Sequence, residues 1–185
     1  MQPVVAVLFV SLIGLLLSLR HPDLVNYLAL SRENLLRMRF HTLITYTAWP
    51  FTVEHVIRVS ISLLLSTYFI GDYLAQRFMW FLVLGSAVFG ALLFCIVIRP
   101  PAMLVGSVMI SWGLAGAVLG LGTRNWAQLG LVRRAYLLVV ALLTLGLVGS
   151  FTSMTAIQML VAAGAFVAVR LTFTAPNKPM QPTPP

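Results

Sequence analysis

Charge is scarce in this chain. Of 185 residues only 9% are Asp, Glu, Lys or Arg, where a soluble domain carries about 25%. Acidic side chains number four: Asp23, Glu33, Glu54 and Asp72. A single cysteine, Cys95, excludes a disulfide scaffold. Histidine occurs at 21, 41 and 55 and nowhere after. No metal-ligand spacing and no cofactor motif is present, so neither a metal nor a cofactor is expected. What the chain does have is apolar side chains, 60% of the total, with a mean hydropathy of +0.98. A water-soluble globule and a disordered chain are both excluded, leaving an all-α, polytopic membrane protein. The net charge of +8 would suggest nucleic acid in a soluble protein. Here the basic residues flank apolar runs, where membrane proteins keep them, so the expected partner is the lipid bilayer and not nucleic acid.

A spanning helix needs about 20 mostly apolar residues. Val4–Leu19 has no Lys or Arg before it and no small-residue cleavage site after it, so it reads as a retained span rather than a signal peptide. Thr42–Gly71 is long and carries Glu54, His55 and Arg58. Phe78–Ile98 and Pro100–Thr123 are uncharged, separated at Pro100-Pro101. Ala135–Val169 is uncharged and too long for one crossing, and Gly149-Ser150-Phe151-Thr152-Ser153 supplies a turn. The expectation is six membrane helices near 4–19, 48–71, 78–98, 102–122, 134–149 and 153–172, in one membrane domain over 1–173. Residues 174–185, rich in proline, read as a disordered tail. In the first loop, Ser31 can cap a short helix with Glu33 in its first turn. Leu35, Leu36, Met38 and Phe40 would then lie in the membrane interface, the alternative being a solvated loop. With both termini in the cytoplasm, Arg77, Arg124, Arg133, Arg134, Arg170 and Lys178 are inside and Arg20, Arg32, Arg37, Arg39 and Arg99 outside. This orientation would suit a multi-pass protein of the plasma (inner) membrane.

Ionisable residues inside a membrane are functional candidates by default. Glu54 and Arg58 stand four apart in the favourable order for an ion pair. They read either as a structural pair near the outer interface or, with His55, as a polar site open to the outside. The fourth span is crowded with small residues. Gly106, Gly113, Gly116 and Gly120, with Gly164 on the last span, are candidate helix-packing positions, which would put the fourth helix at the centre of the bundle. Ser107 and Ser111 lie on the same span. Ser107 could be a nucleophile, although a serine in a membrane helix more often bonds a backbone carbonyl.

Four segments, in order, resemble the rhomboid family of intramembrane serine proteases. Phe40-His41-Thr42-Leu43-Ile44-Thr45-Tyr46 resembles the stretch entering that family's second helix, and Gly71-Asp72-Tyr73-Leu74-Ala75-Gln76-Arg77-Phe78 the stretch that ends it. Residues 106–117 resemble its glycine-rich fourth helix. Ala156-Ile157 followed by Gly164 resembles its sixth. The resemblance, over roughly 24–171, implies a six-helix rhomboid-like bundle with lateral access for transmembrane proteins.

The family's catalytic serine falls on Val108, with Ser107 one position early, about 100° round the helix. A second register puts Ala115 there instead. Its histidine falls on Ile157, and the adjacent Gln158 cannot hold a proton near neutral pH. A serine needs a base to become a nucleophile, so the resemblance implies a pseudoprotease that binds single-pass membrane clients without cleaving them. The cavity residues would be Glu54, His55, Arg58, Ser107 and Ser111. The alternatives are a divergent protease using Ser107 with His55 as base, or a small membrane transport or assembly subunit. No internal repeat of the kind many transporters show is evident.

Overall fold

A computed structural model describes residues 2–49, 52–146 and 152–172. Every regular element among them is helical. The long helices are α1 (Gln2–Arg20), α2 (Val53–Ile70), α3 (Gln76–Val97), α4 (Val108–Arg124), α5 (Leu131–Gly146) and α6 (Ser153–Thr172). Helices α1, α2, α3 and α6 are each long and apolar enough to cross a membrane. α4 is a shorter apolar helix, and α5 has 16 residues. Large apolar side chains such as Phe9, Leu19, Phe81, Ile96 and Leu142 point outward. That much exposed hydrocarbon would be an aggregation hazard in water and is at home in lipid.

The helix ends follow from local chemistry. α1 closes with Arg20 in its last turn, where a cation suits the dipole. α2 starts where Thr52, in extended conformation, accepts the His55 amide at 3.1 Å. α6 starts the same way, with Thr152 Oγ1 accepting from the Thr155 amide at 3.2 Å. The turn expected at Gly149-Ser150-Phe151 and the tail 174–185 lie outside the described residues.

Two expected spans start late. The fourth helix begins at Val108, not at 102. Leu104 instead pairs its backbone with Leu30, through Leu104 N–H to Leu30 O at 2.8 Å and Leu30 N–H to Leu104 O at 3.0 Å. Gly106 follows at φ +84°, a conformation that suits glycine and breaks a right-handed helix. The second helix begins at Val53 rather than 48. The chain before it forms short helical turns at Thr42–Thr45 and Tyr46–Ala48, then extends at Trp49.

In the first loop, Ser31 caps Arg32–Leu36 by accepting the Asn34 amide at 3.1 Å. The helix lasts only five residues because Met38 turns to φ 60°. Leu36, Met38 and Phe40 are exposed, whereas Leu35 packs inward. Asn34 is buried and holds the loop together: its Nδ2 donates to Asn26 O at 3.0 Å and Ala29 O at 2.9 Å. Tyr46 and Trp49 are fully buried, and the Tyr46 hydroxyl donates to Ala87 O at 2.9 Å, pinning the loop onto α3.

α4 packs against α2, α3, α5 and α6, most extensively against α6. Its glycines are the reason. A Cβ on Gly116 would lie 2.0 Å from the Ala162 carbonyl oxygen, and one on Gly120 3.0 Å from that of Phe166. On other faces a Cβ at Gly113 would meet Ser86 Oγ at 1.8 Å, and one at Gly122 would meet Leu137 at 1.6 Å. The backbone-to-backbone approach at Gly116 and Gly120 is how helices gain dispersion energy where no hydrophobic effect drives them together. Gly164 differs: it is exposed, and a Cβ there would make only ordinary contact with Phe89 at 3.5 Å.

Candidate functional site

α2 and α5 both lie on α4 and close on each other at Ser66, Phe69 and Tyr136. Between them opens a cavity of about 690 Å³, within the range of ligand sites. Its apolar walls include Val59, Leu65, Trp112 and Val140, and its polar lining is His55, Arg58, Ser62, Ser111, Tyr136 and Gln158.

The polar residues come in linked levels. Arg58 pairs with Glu54, both side chains mostly exposed at the loop end of α2. One turn along, Ser62 Oγ meets Ser111 Oγ of α4 at 2.6 Å. A further turn along, Ser66 Oγ meets the Tyr136 hydroxyl of α5 at 3.1 Å, beside the Phe69 ring. Beyond the far end of α2, Arg133 pairs with Asp72 and donates to the Tyr73 hydroxyl at 3.1 Å. Its side chain is only 23% exposed.

The residues singled out from the sequence therefore divide. His55, Arg58 and Ser111 line the cavity, and Glu54 joins it through Arg58. Ser107 stands apart from it. It is buried at the start of α4, donates to the Thr47 carbonyl at 2.8 Å, and sits 3.1 Å from Ser11 Oγ of α1. Ser11 in turn donates to the same Thr47 carbonyl at 3.3 Å. A carbonyl oxygen holds a hydroxyl proton in place but does not remove it, so this arrangement ties α1, α4 and the loop together and does not activate a nucleophile. The His55 ring rests on the turn before Ser107: a Cβ at Gly106 would come within 2.4 Å of its Nε2.

Ser62, Ser66, Tyr136 and Gln158 were not foreseen. Glu54, Arg58, Ser62 and Ser66 recur every fourth residue, a stripe down one helix face that was there to be read. Nothing local marks Tyr136 as its partner. Among the described residues no three His, Cys, Asp or Glu side chains gather as metal ligands would. No protein-family model and no curated protein matches this chain.

Proposed function

We propose that the chain is a rhomboid-like pseudoprotease, a six-helix membrane bundle with both termini in the cytoplasm that holds transmembrane clients without cleaving them. The observation that carries this reading is the lateral opening between α2 and α5, floored by α4, with no histidine available on α6. The position resembling the family's catalytic histidine is Ile157, fully buried, and Ser107, just before α4, donates its hydroxyl hydrogen bond to Thr47 O. α4 and α5 complete the six crossings by lining the cleft that clients would enter. A polar lining suits a client helix with side chains that are poorly solvated by lipid.

Two measurements test it. A photo-crosslinking residue at Val139, on the exposed rim, should capture single-pass membrane proteins in native membranes, and capture should fall when α2 carries Ile61→Trp. A fluorophosphonate probe should leave the purified protein unlabelled. Absence of any client capture sinks the reading.

The His55 ring beside Gly106, adjacent to Ser107, favours a divergent hydrolase as the second reading. Labelling or cleavage that disappears in both Ser107→Ala and His55→Ala would establish it in place of the first.

A further inference from the structure

We infer that the cavity between α2 and α5 binds one ester-linked glycerophospholipid from the leaflet beside the first loop. Arg58 takes its phosphate, Ser62 and Ser111 an ester carbonyl, and the apolar end one acyl chain. This inference rests on the cavity alone and needs no client.

The cavity is blind. At its far end Ser66, 1% exposed, meets the Tyr136 hydroxyl at 3.1 Å, and the Phe69 ring lies 5.8 Å from that of Tyr136. Beyond them Arg133 of α5 pairs with Asp72 and donates to the Tyr73 hydroxyl. α5 is thus latched to the far end of α2, and toward the loop end the space between the two helices is the cavity. Sideways its rim is apolar: Ile61, Leu65 and Val139 are each about half exposed. A pocket closed at the bottom and open to lipid at the side admits a molecule that stays in one leaflet.

The polar groups are ordered by depth. Arg58 comes first and lines the cavity. Its Nη2 donates to Glu54, but a guanidinium has five N–H donors in a fork, so others remain for a phosphate. Four residues along α2, about 6 Å at 1.5 Å per residue, Ser62 Oγ meets Ser111 Oγ at 2.6 Å. The two hydroxyls hold two protons and spend one on the shared bond, so the second can be donated to a ligand oxygen. Past this level Leu65, Trp112 and Val140 make apolar walls, and the small side chain of Ala115 leaves room between them. Phosphate, carbonyl and hydrocarbon follow one another in this order in a glycerophospholipid, with only the glycerol unit between the first two. A soluble phosphate would have no use for the apolar end. A free fatty acid brings a single polar group for the two levels.

The test is native mass spectrometry of the full chain in detergent micelles, titrated with phosphatidylethanolamine and with its ether-linked counterpart, which lacks the carbonyls but keeps the headgroup and chains. The diester should bind about fivefold more tightly, the scale of one hydrogen bond. Ser62→Ala combined with Ser111→Ala should bring the diester down to the diether and leave the diether unchanged. Arg58→Gln should weaken both lipids by about tenfold, as loss of a charge-assisted hydrogen bond does. Leu65→Trp, at the half-exposed rim, should exclude both by filling the chain site. All variants are compared in protein whose helical content and gel-filtration profile match the parent. Equal binding of diester and diether by the parent would overturn the inference. So would binding indifferent to Arg58→Gln and Leu65→Trp, which would mark lipid held on the general surface, or displacement of the phospholipid by an equal concentration of oleate. Failure of client capture would leave these results unchanged.

Discussion

The hydroxyls of Ser62 and Ser111 face each other at 2.6 Å across the α2–α4 interface, 49 residues apart in the chain. Both are half-buried at the floor of the cleft. In lipid such a pair has no water to fall back on, although measured interhelical hydrogen bonds average only about 0.6 kcal/mol, with a maximum near 1.7 kcal/mol.

Ser62→Ala and Ser111→Ala should each lower stability by about 0.5–1.5 kcal/mol. The double variant should lose clearly less than their sum, because each single change already breaks the shared bond. Reversible unfolding in mixed micelles gives all three values. Strict additivity would show that the pair is not energetically coupled.

Gly116 and Gly164 make a sharper comparison, since both looked like packing glycines. At Gly116 a Cβ meets the Ala162 carbonyl oxygen at 2.0 Å. That atom belongs to a helix backbone and cannot yield without parting α4 from α6. Gly116→Ala should cost about 1–3 kcal/mol. Gly164→Ala, whose Cβ would make only ordinary contact with Phe89 at 3.5 Å, should stay within about 0.5 kcal/mol of the parent or gain slightly from helix propensity. The two variants, melted side by side in detergent, decide whether close backbone approach or glycine content stabilises this bundle.

The apolar runs behind α1, α2, α3 and α6 were legible because length and hydropathy are local properties. So was the Ser31 cap, which needs only four consecutive residues. What escaped depended on distant partners. Residues 102–107 are as apolar as a helix, but Leu104 finds Leu30, more than seventy positions earlier, and Gly106 takes a conformation no hydropathy profile records. Ser107 drew attention for its neighbours in sequence, whereas its hydroxyl is used by Thr47 and Ser11, 60 and 96 positions away. The stripe of Glu54, Arg58, Ser62 and Ser66 was visible as a spacing. That Arg58 and Ser62 of this stripe wall a cleft, while Ser66 is buried against Tyr136, came only with Ser111 and Tyr136 on other helices.

Tyr46 gives the bundle a defined alkaline limit. Its ring is fully buried outside the spanning helices, and its hydroxyl donates to Ala87 O at 2.9 Å. Burial pushes the phenol well above its ordinary value, because the phenolate would lose its water. In the unfolded chain the group titrates near its ordinary pKa of about 10. Below that pH both states hold the proton and the full stability is present. Above it the unfolded state releases the proton while the folded state retains it, so stability falls as pH rises, by up to about 1.4 kcal/mol per pH unit for this one group. Tyr46→Phe should cost about 1 kcal/mol at neutral pH through the lost hydrogen bond. It should also flatten the decline above pH ~10 relative to the parent. Unfolding measured from pH 7 to 11 in both proteins isolates the effect, since every other titrating group is shared. Parallel curves across that range would mean that Tyr46 reaches water in the folded protein and does not pin the loop to α3.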